Sequence, residues 1–201
     1  MGKTIMRQKM DRLWFKNAMN QKGFTLTELM VAVALIGIVV SLAVPSFKES
    51  LLRIRLRSAT RALSSDIRLA RSEAISRNKL IFVVFPTTGT RYTIREDSIT
   101  GPVIMSVDLA EEYIGVSFGV GGVDSKPPGV LPLGAPTDPV DFEDNNIRLD
   151  AMGRSMKGAS ISPENGEIYL TNTQGEVYCI TVLGTSGRVK VYRWTGGIWK
   201  S

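Results

Sequence analysis

The chain has 201 residues, 43% of them hydrophobic, and a formal net charge of +6, enough for one domain of ordinary size plus accessories. It has no histidine, which excludes His-dependent triads, His metal sites and the commonest general base near neutral pH. Its one cysteine, Cys179, excludes an internal disulfide and leaves the redox compartment open.

Charge is unevenly spread. Residues 1–23 hold six bases (Lys3, Arg7, Lys9, Arg12, Lys16 and Lys22) against Asp11 alone. Residues 48–95 hold eleven bases and three acids, and residues 96–144 hold ten acids and one base, Lys126. From Gly187 onward there are four bases and no acid. The body is therefore nearly neutral but divided, and any affinity for polyanions has to be local.

The first predicted element is apolar. Residues 24–44 number 21 and as a helix span about 31 Å at roughly 1.5 Å per residue, close to a hydrocarbon core of about 30 Å. The run is longer than a signal-peptide core of about 7–15 residues, and no A-x-A-like cleavage site follows it. Bases flank both ends, so the charge rule for orientation is nearly silent. Glu28 is the anomaly. A carboxylate deep in a span costs on the order of 2.5–3.5 kcal/mol, less near the interface, and no base lies within the next helical turn. A free α-amino group four residues earlier would be a fitting partner, and it exists only if the chain is cut between Gly23 and Phe24.

The stretch Lys22-Gly23-Phe24-Thr25-Leu26-Thr27-Glu28-Leu29 resembles the cleavage motif of type IV prepilins and type II secretion pseudopilins. The resemblance implies that a dedicated membrane peptidase cuts after Gly23 and that the new terminus, Phe24, is N-methylated. It implies that Glu28 pairs with the N-terminal amine of a neighbouring subunit during filament assembly. Pro45 falls where pilins often carry a proline. The implied topology is a cytoplasmic leader (1–23), a single inner-membrane pass (24–45) and a periplasmic body. The leader is longer than is common in that family, which makes Met10 or Met19 an alternative start.

The next element is amphipathic. Leu52, Leu56, Ala59, Leu63, Ile67, Ala70 and Ala74 recur at steps of three and four and predict one apolar helix stripe. Arg53, Arg57, Arg61, Ser64, Arg68 and Arg71 form a second stripe, readable as a solvated face or as a polyanion or partner surface. Glu73 and Arg77 predict an i,i+4 pair. With no Gly or Pro between 46 and 78, the helix is expected to continue to Asn78, a residue tolerant of a terminal left-handed position, with a bend or loosening at Pro45. Segment 61–79, RALSSDIRLARSEAISRNK, resembles the helix end of the GspH/FimT branch of minor pilins and pseudopilins.

Beyond Lys79 the chain reads as strands at 80–85, 91–95, 103–107, 147–149, 167–170, 177–183 and 188–194. Turn signals separate them at Met152-Gly153, Asn165-Gly166, Gln174-Gly175 and Ser186-Gly187. The expectation is an α+β fold, a long N-terminal helix packed on an antiparallel sheet or sandwich, type IV pilin-like. Residues 119–146 are rich in Gly, Pro and acids and predict a long loop, functional or mobile. Gly119, Gly121 and Gly122 make no phosphate loop, because no Lys-Ser/Thr follows. Asp141, Glu143, Asp144 and Asn145 are hard oxygen ligands that suit Ca²⁺ in type but fit no EF-hand spacing. Cys179, in an apolar strand, reads as a core residue. It cannot form the C-terminal disulfide of major type IV pilins, so the resemblance implies a minor pilin or pseudopilin.

The last motif is Gly187-Arg188-Val189-Lys190-Val191-Tyr192-Arg193-Trp194. Alternation puts Arg188, Lys190, Tyr192 and Trp194 on one face and Val189, Val191 and Arg193 on the other. Bases interleaved with aromatics suit phosphates and bases; equally, charge can protect an edge strand while aromatics pack on the sheet. Some FimT-type minor pilins bind DNA through a Gly-Arg-x-Arg-like motif, and the resemblance implies Arg188, Lys190 and Arg193 as candidates. Lys190 keeps the charge of the second base but not its bidentate geometry. The expectation is therefore a structural subunit without catalysis, metal or cofactor. It would prime or cap a pilus or pseudopilus, and its partners would be the prepilin peptidase, other pilins and the inner membrane. The alternative is a DNA-binding minor pilin.

Overall fold

A computed structural model describes residues 23–129 and 134–201, and the chain divides into two compact units, residues 1–45 and 46–201. The expected leader, residues 1–22, lies outside the described residues, as do the side chains of Val44 and Pro45. Helix α1 runs Leu26–Arg77.

In the first unit, Thr25 caps the helix. Its hydroxyl accepts from the Glu28 N–H at 3.2 Å, and its carbonyl accepts from Leu29 N–H at 3.1 Å. Thr-x-x-Glu is a capping-box sequence, and a carboxylate in the first turn opposes the positive end of the helix dipole. Residues 23–43 are all exposed. The most apolar window has a mean hydropathy of 2.5 with none of it buried, long and apolar enough to cross a membrane.

In the second unit the apolar stripe of α1 forms a core as its period requires. Leu56, Ala59, Leu63, Ile67, Ala70 and Ala74 are fully buried, while Leu52 is half-buried. The helix ends at Arg77 with Asn78 left-handed at φ 54°. Lys79 N–H reaches Ala74 O at 3.2 Å and Asn78 N–H reaches Ile75 O at 3.4 Å; this Schellman pairing satisfies carbonyls the last turn would leave open. The expected Glu73–Arg77 pair forms, and Arg77 also reaches Glu96 at 3.1 Å.

Among the described residues eleven strands follow: β1 (Ile81–Val84), β2 (Arg91–Glu96), β3 (Val103–Asp108), β4 (Val116–Phe118), β5 (Val140–Asp141), β6 (Asn146–Leu149), β7 (Ser155–Met156), β8 (Gly166–Asn172), β9 (Val177–Leu183), β10 (Arg188–Trp194) and β11 (Trp199–Lys200), with a short helix α2 (Leu109–Glu112) after β3. They form two sheets, ordered β3-β2-β1-β6-β7 and β11-β10-β9-β8-β4, with β5 also on β8. Every pairing is antiparallel. One cluster joins the stripe of α1 to Ile81, Val83, Tyr92, Ile94, Ile147 and Leu149 of the first sheet and to Ile168, Leu170, Ile180, Val182 and Val189 of the second. The other face of the second sheet carries its own cluster, Val123, Tyr169, Val177, Cys179 and Tyr192, with Trp194 and Trp199 against it. Alternation along β8, β9 and β10 therefore feeds two cores, which is why β9, Val-Tyr-Cys-Ile-Thr-Val-Leu, reads as a nearly continuous apolar run.

Two expectations are corrected. Residues 119–146 are not one uninterrupted loop: Val140–Asp141 pairs with Ile168 and Glu167 of β8, and Glu143–Asn145 forms a 3-10 turn. Ser64 does not share a solvated stripe with the arginines. It is buried and donates to Arg61 O at 2.9 Å, the back-bonding that lets a hydroxyl sit inside a helix.

Candidate functional site

The first candidate is the N-terminal turn of α1. Gly23 is exposed and Phe24 is 83% exposed. Glu28 is exposed on the first turn, and among the described residues it has no cationic partner. The cap explains part of what this carboxylate does: it sits at the helix position that complements Thr25 and the dipole. Sequence reading treated Glu28 as a buried-charge problem and overlooked the Thr25-x-x-Glu28 spacing, which was there to be read.

The second candidate is the C-terminal strand. Arg188 is exposed and Lys190 half-buried, on the face opposite Val189 and Val191. Arg193 lies on the Val189 side, so the structure does not bring the three bases together. Tyr192 is 8% exposed inside the second cluster, and the Trp194 and Trp199 rings pack at 5.1 Å. The aromatics of this motif thus pack on the sheet and are not open platforms for bases. Strand β11 pairs only with Arg193 and Trp194, which leaves the first part of β10 a charged edge.

The glycine of this motif has a packing role. Gly187 adopts φ +59°, and a Cβ there would lie 2.1 Å from Gly153 O and 2.8 Å from Arg71 Nε. Arg71 Nε donates to Gly153 O at 2.9 Å. The turn at Gly153 and the turn at Gly187 therefore close around an arginine of the helix. Arg71 is not part of a solvated stripe; it ties α1 to two turns far apart in sequence.

The acidic region has a centre that sequence reading missed. Lys126 is ion-paired with Asp141 and lies 3.3 Å from Glu167 Oε2. Glu167 is 1% exposed; burial raises its carboxyl to about 7 despite Lys126, while Lys126 holds Asp141 below the usual carboxylate range. With Asp141 engaged by an ammonium and Glu143–Asn145 in a turn, the Ca²⁺ reading of 141–145 has no converging set. Among the described residues no group of three His, Cys, Asp or Glu is placed to hold a metal. Lys126 anchors the loop over the second sheet together with Trp199, whose indole N–H donates to Ser125 O at 2.8 Å. Cys179 is fully buried, as its strand position implied.

A third feature is a cleft between α1 and the β9–β11 edge, about 480 Å³, lined by Arg57, Arg61, Tyr178, Arg193 and Lys200 among others. No Asp or Glu lines it.

Residues 18–44 match the prokaryotic N-terminal methylation motif, and residues 59–186 match the family model for type II transport protein GspH. The chain is 40% identical over 76 residues to a fimbrial protein of Pseudomonas aeruginosa, covering 37% of this chain and 47% of that protein. It is 31% identical over 104 residues to the pilin-like protein PilA1 of Thermus thermophilus, covering 51% of this chain and 64% of that one. The chain thus spans about half the length of the fimbrial protein it matches. It is also similar to a crystal structure of the Pseudomonas aeruginosa type IV minor pilin FimU, with a TM-score of 0.42 and 14% identity, covering 67% of this chain and 90% of that one. The chain belongs to the family of type II transport protein GspH.

Proposed function

We propose that this protein is a minor pilin or H-type pseudopilin that primes or caps a type IV pilus or a type II secretion pseudopilus. The observation that carries this reading is Glu28: an exposed carboxylate on the first turn of α1, at the head of an apolar stretch exposed through residue 43. A charge in hydrocarbon calls for a partner. Cleavage between Gly23 and Phe24 creates one, an amine one helical turn before the carboxylate, and in an assembling filament the neighbour's amine can take that place. Gly23 then serves recognition by the prepilin peptidase, Phe24 is the methylated terminus, and Pro45 closes the membrane segment. The apolar helix anchors the precursor in the inner membrane, with the second unit in the periplasm until assembly. The charge therefore acts as a register mark, since only one axial offset between neighbouring helices brings amine and carboxylate together.

The test is recovery of the protein in sheared filaments. Glu28→Ala is expected to cut recovery at least about tenfold, the loss of one desolvated ion pair, while Glu28→Asp retains part of it. Full recovery of Glu28→Ala contradicts the reading.

A DNA-binding minor pilin using Gly187-Arg188-Val189-Lys190 is the second reading. The exposed guanidinium of Arg188 favours it; the buried Tyr192 weighs against base stacking there. Salt-sensitive DNA binding lost in Arg188→Ala/Lys190→Ala supports it.

A further inference from the structure

We propose that the cleft between α1 and the β9–β11 edge is a receptor for an acidic surface segment of the adjacent filament subunit; this rests on the filament reading above.

The cleft is built by two cation pairs facing each other. Arg57 and Arg61 are one helical turn apart on α1, about 6 Å along its axis. Arg193 and Lys200 are register partners across β10 and β11. All four line one open cleft of about 480 Å³ with no Asp or Glu side chain in its lining. Among the described residues Arg57, Arg61 and Lys200 have no ion-pair partner. Arg193 shares Glu176 with Arg53; the other three cations around the concavity repel one another, and an incoming anion relieves that repulsion.

The chain itself indicates which anion fits. At the rim, the Glu176 carboxylate bridges helix and strand, lying 3.3 Å from Arg53 Nε and 3.3 Å from the Arg193 guanidinium. Arg53 is one turn before Arg57. A carboxylate thus already occupies the helix–strand gap one turn along, and the positions at Arg57, Arg61 and Lys200 repeat its surroundings without a carboxylate of their own. Guanidinium forks match carboxylates in geometry. Nucleic acid fits less well. A duplex presents charge continuously, one per about 1.7 Å of axis, far beyond the four cations gathered at this one cleft. Single strands need exposed aromatic platforms, whereas Tyr178 is half-buried and Tyr192 buried here. Filament contacts are heterologous, one face of a subunit against a different face of the next, so a basic cleft calls for an acidic surface on the neighbour.

The test uses the full chain in detergent micelles and fluorescent hexaglutamate as probe, titrated at low salt beside an oligothymidylate of equal charge. Arg57→Ala/Arg61→Ala is expected to weaken hexaglutamate binding at least about tenfold. Arg57→Lys/Arg61→Lys, which keeps the charge but not the fork, keeps only part of it. Arg68→Ala, exposed on the same helix outside the cleft, and Arg188→Ala/Lys190→Ala leave it unchanged. No binding by the wild type, or equal loss in Arg68→Ala, overturns the proposal. Tighter binding of oligothymidylate, lost in the Arg57/Arg61 variant, overturns it in favour of nucleic acid. In cells, Arg57→Glu/Arg61→Glu is expected to lower recovery in sheared filaments by a similar factor with an unchanged mature N-terminus; normal recovery overturns the partner assignment. If wild-type protein binds the peptide yet is absent from filaments, the carboxylate site stands and the filament reading fails.

Discussion

At the scale of single residues, Gly187 and Glu167 make opposite kinds of commitment. Gly187 holds a left-handed φ while its Cα faces Gly153 O and Arg71. An alanine there meets strain of about 1–2 kcal/mol from the backbone alone, plus displacement of the Arg71 clamp. Gly187→Ala is expected to lower the melting temperature of the purified chain by several degrees, even though it leaves the charge of the C-terminal motif intact; an unchanged melting temperature would contradict the packing role. Glu167 is a buried carboxyl whose proton is held up to about pH 7, with desolvation as the leading cause. A folded-state value above the unfolded one means the native chain binds a proton that the unfolded chain has released. Stability is therefore full below about pH 4.5 for this group and declines as pH rises toward about 7. Asp141, shifted down beside Lys126, acts in the other direction and only at lower pH. Chemical denaturation at pH 5 and pH 7.5 is expected to show a less stable protein at the higher pH. Glu167→Gln is expected to remove most of that difference. Neither residue stood out in the sequence. A glycine before a strand looks like any turn, and a Glu at a strand start looks solvated until the loop carrying Lys126 is folded over it.

Among the elements, the helix was the most legible. Its apolar positions recur with the helical period, and six of the seven are fully buried. Ile67 is fully buried in the core cluster that draws on both sheets, so Ile67→Ala is expected to cost about 2–5 kcal/mol. Arg68→Ala, one residue on and exposed, is expected to stay within about 0.5 kcal/mol. Equal effects in a denaturant titration would contradict the stripe. The seven longer strands were legible for a related reason: β-branched runs between turn residues. The missed ones, β4, β5, β7 and β11, have two or three residues each. They are strands because a neighbour supplies a ladder, which no local pattern encodes. The same limit applies to surfaces. The arginine stripe was visible at its spacing, but its division into a clamp at Arg71, a bridge at Arg53 and a cleft at Arg57 and Arg61 depends on which strands arrive beside each turn.

At the scale of the whole molecule, the two units have different chemistry. Residues 46–201 bury a continuous core of helix and two sheets. In residues 23–43 every apolar side chain is left exposed, which in water would be a large unsatisfied cost and in hydrocarbon is none. The proposed function reconciles them, as a subunit held by its N-terminal helix in a membrane and then in a filament, and that account depends on the amine created next to Glu28. The measurement that tests it most directly is the intact mass and N-terminal sequence of the protein isolated from cells with and without the prepilin peptidase. The account predicts a chain beginning at N-methylated Phe24 when the peptidase is present and the uncut leader when it is absent. A chain that keeps its leader in the presence of the peptidase, or one cut elsewhere, would contradict it.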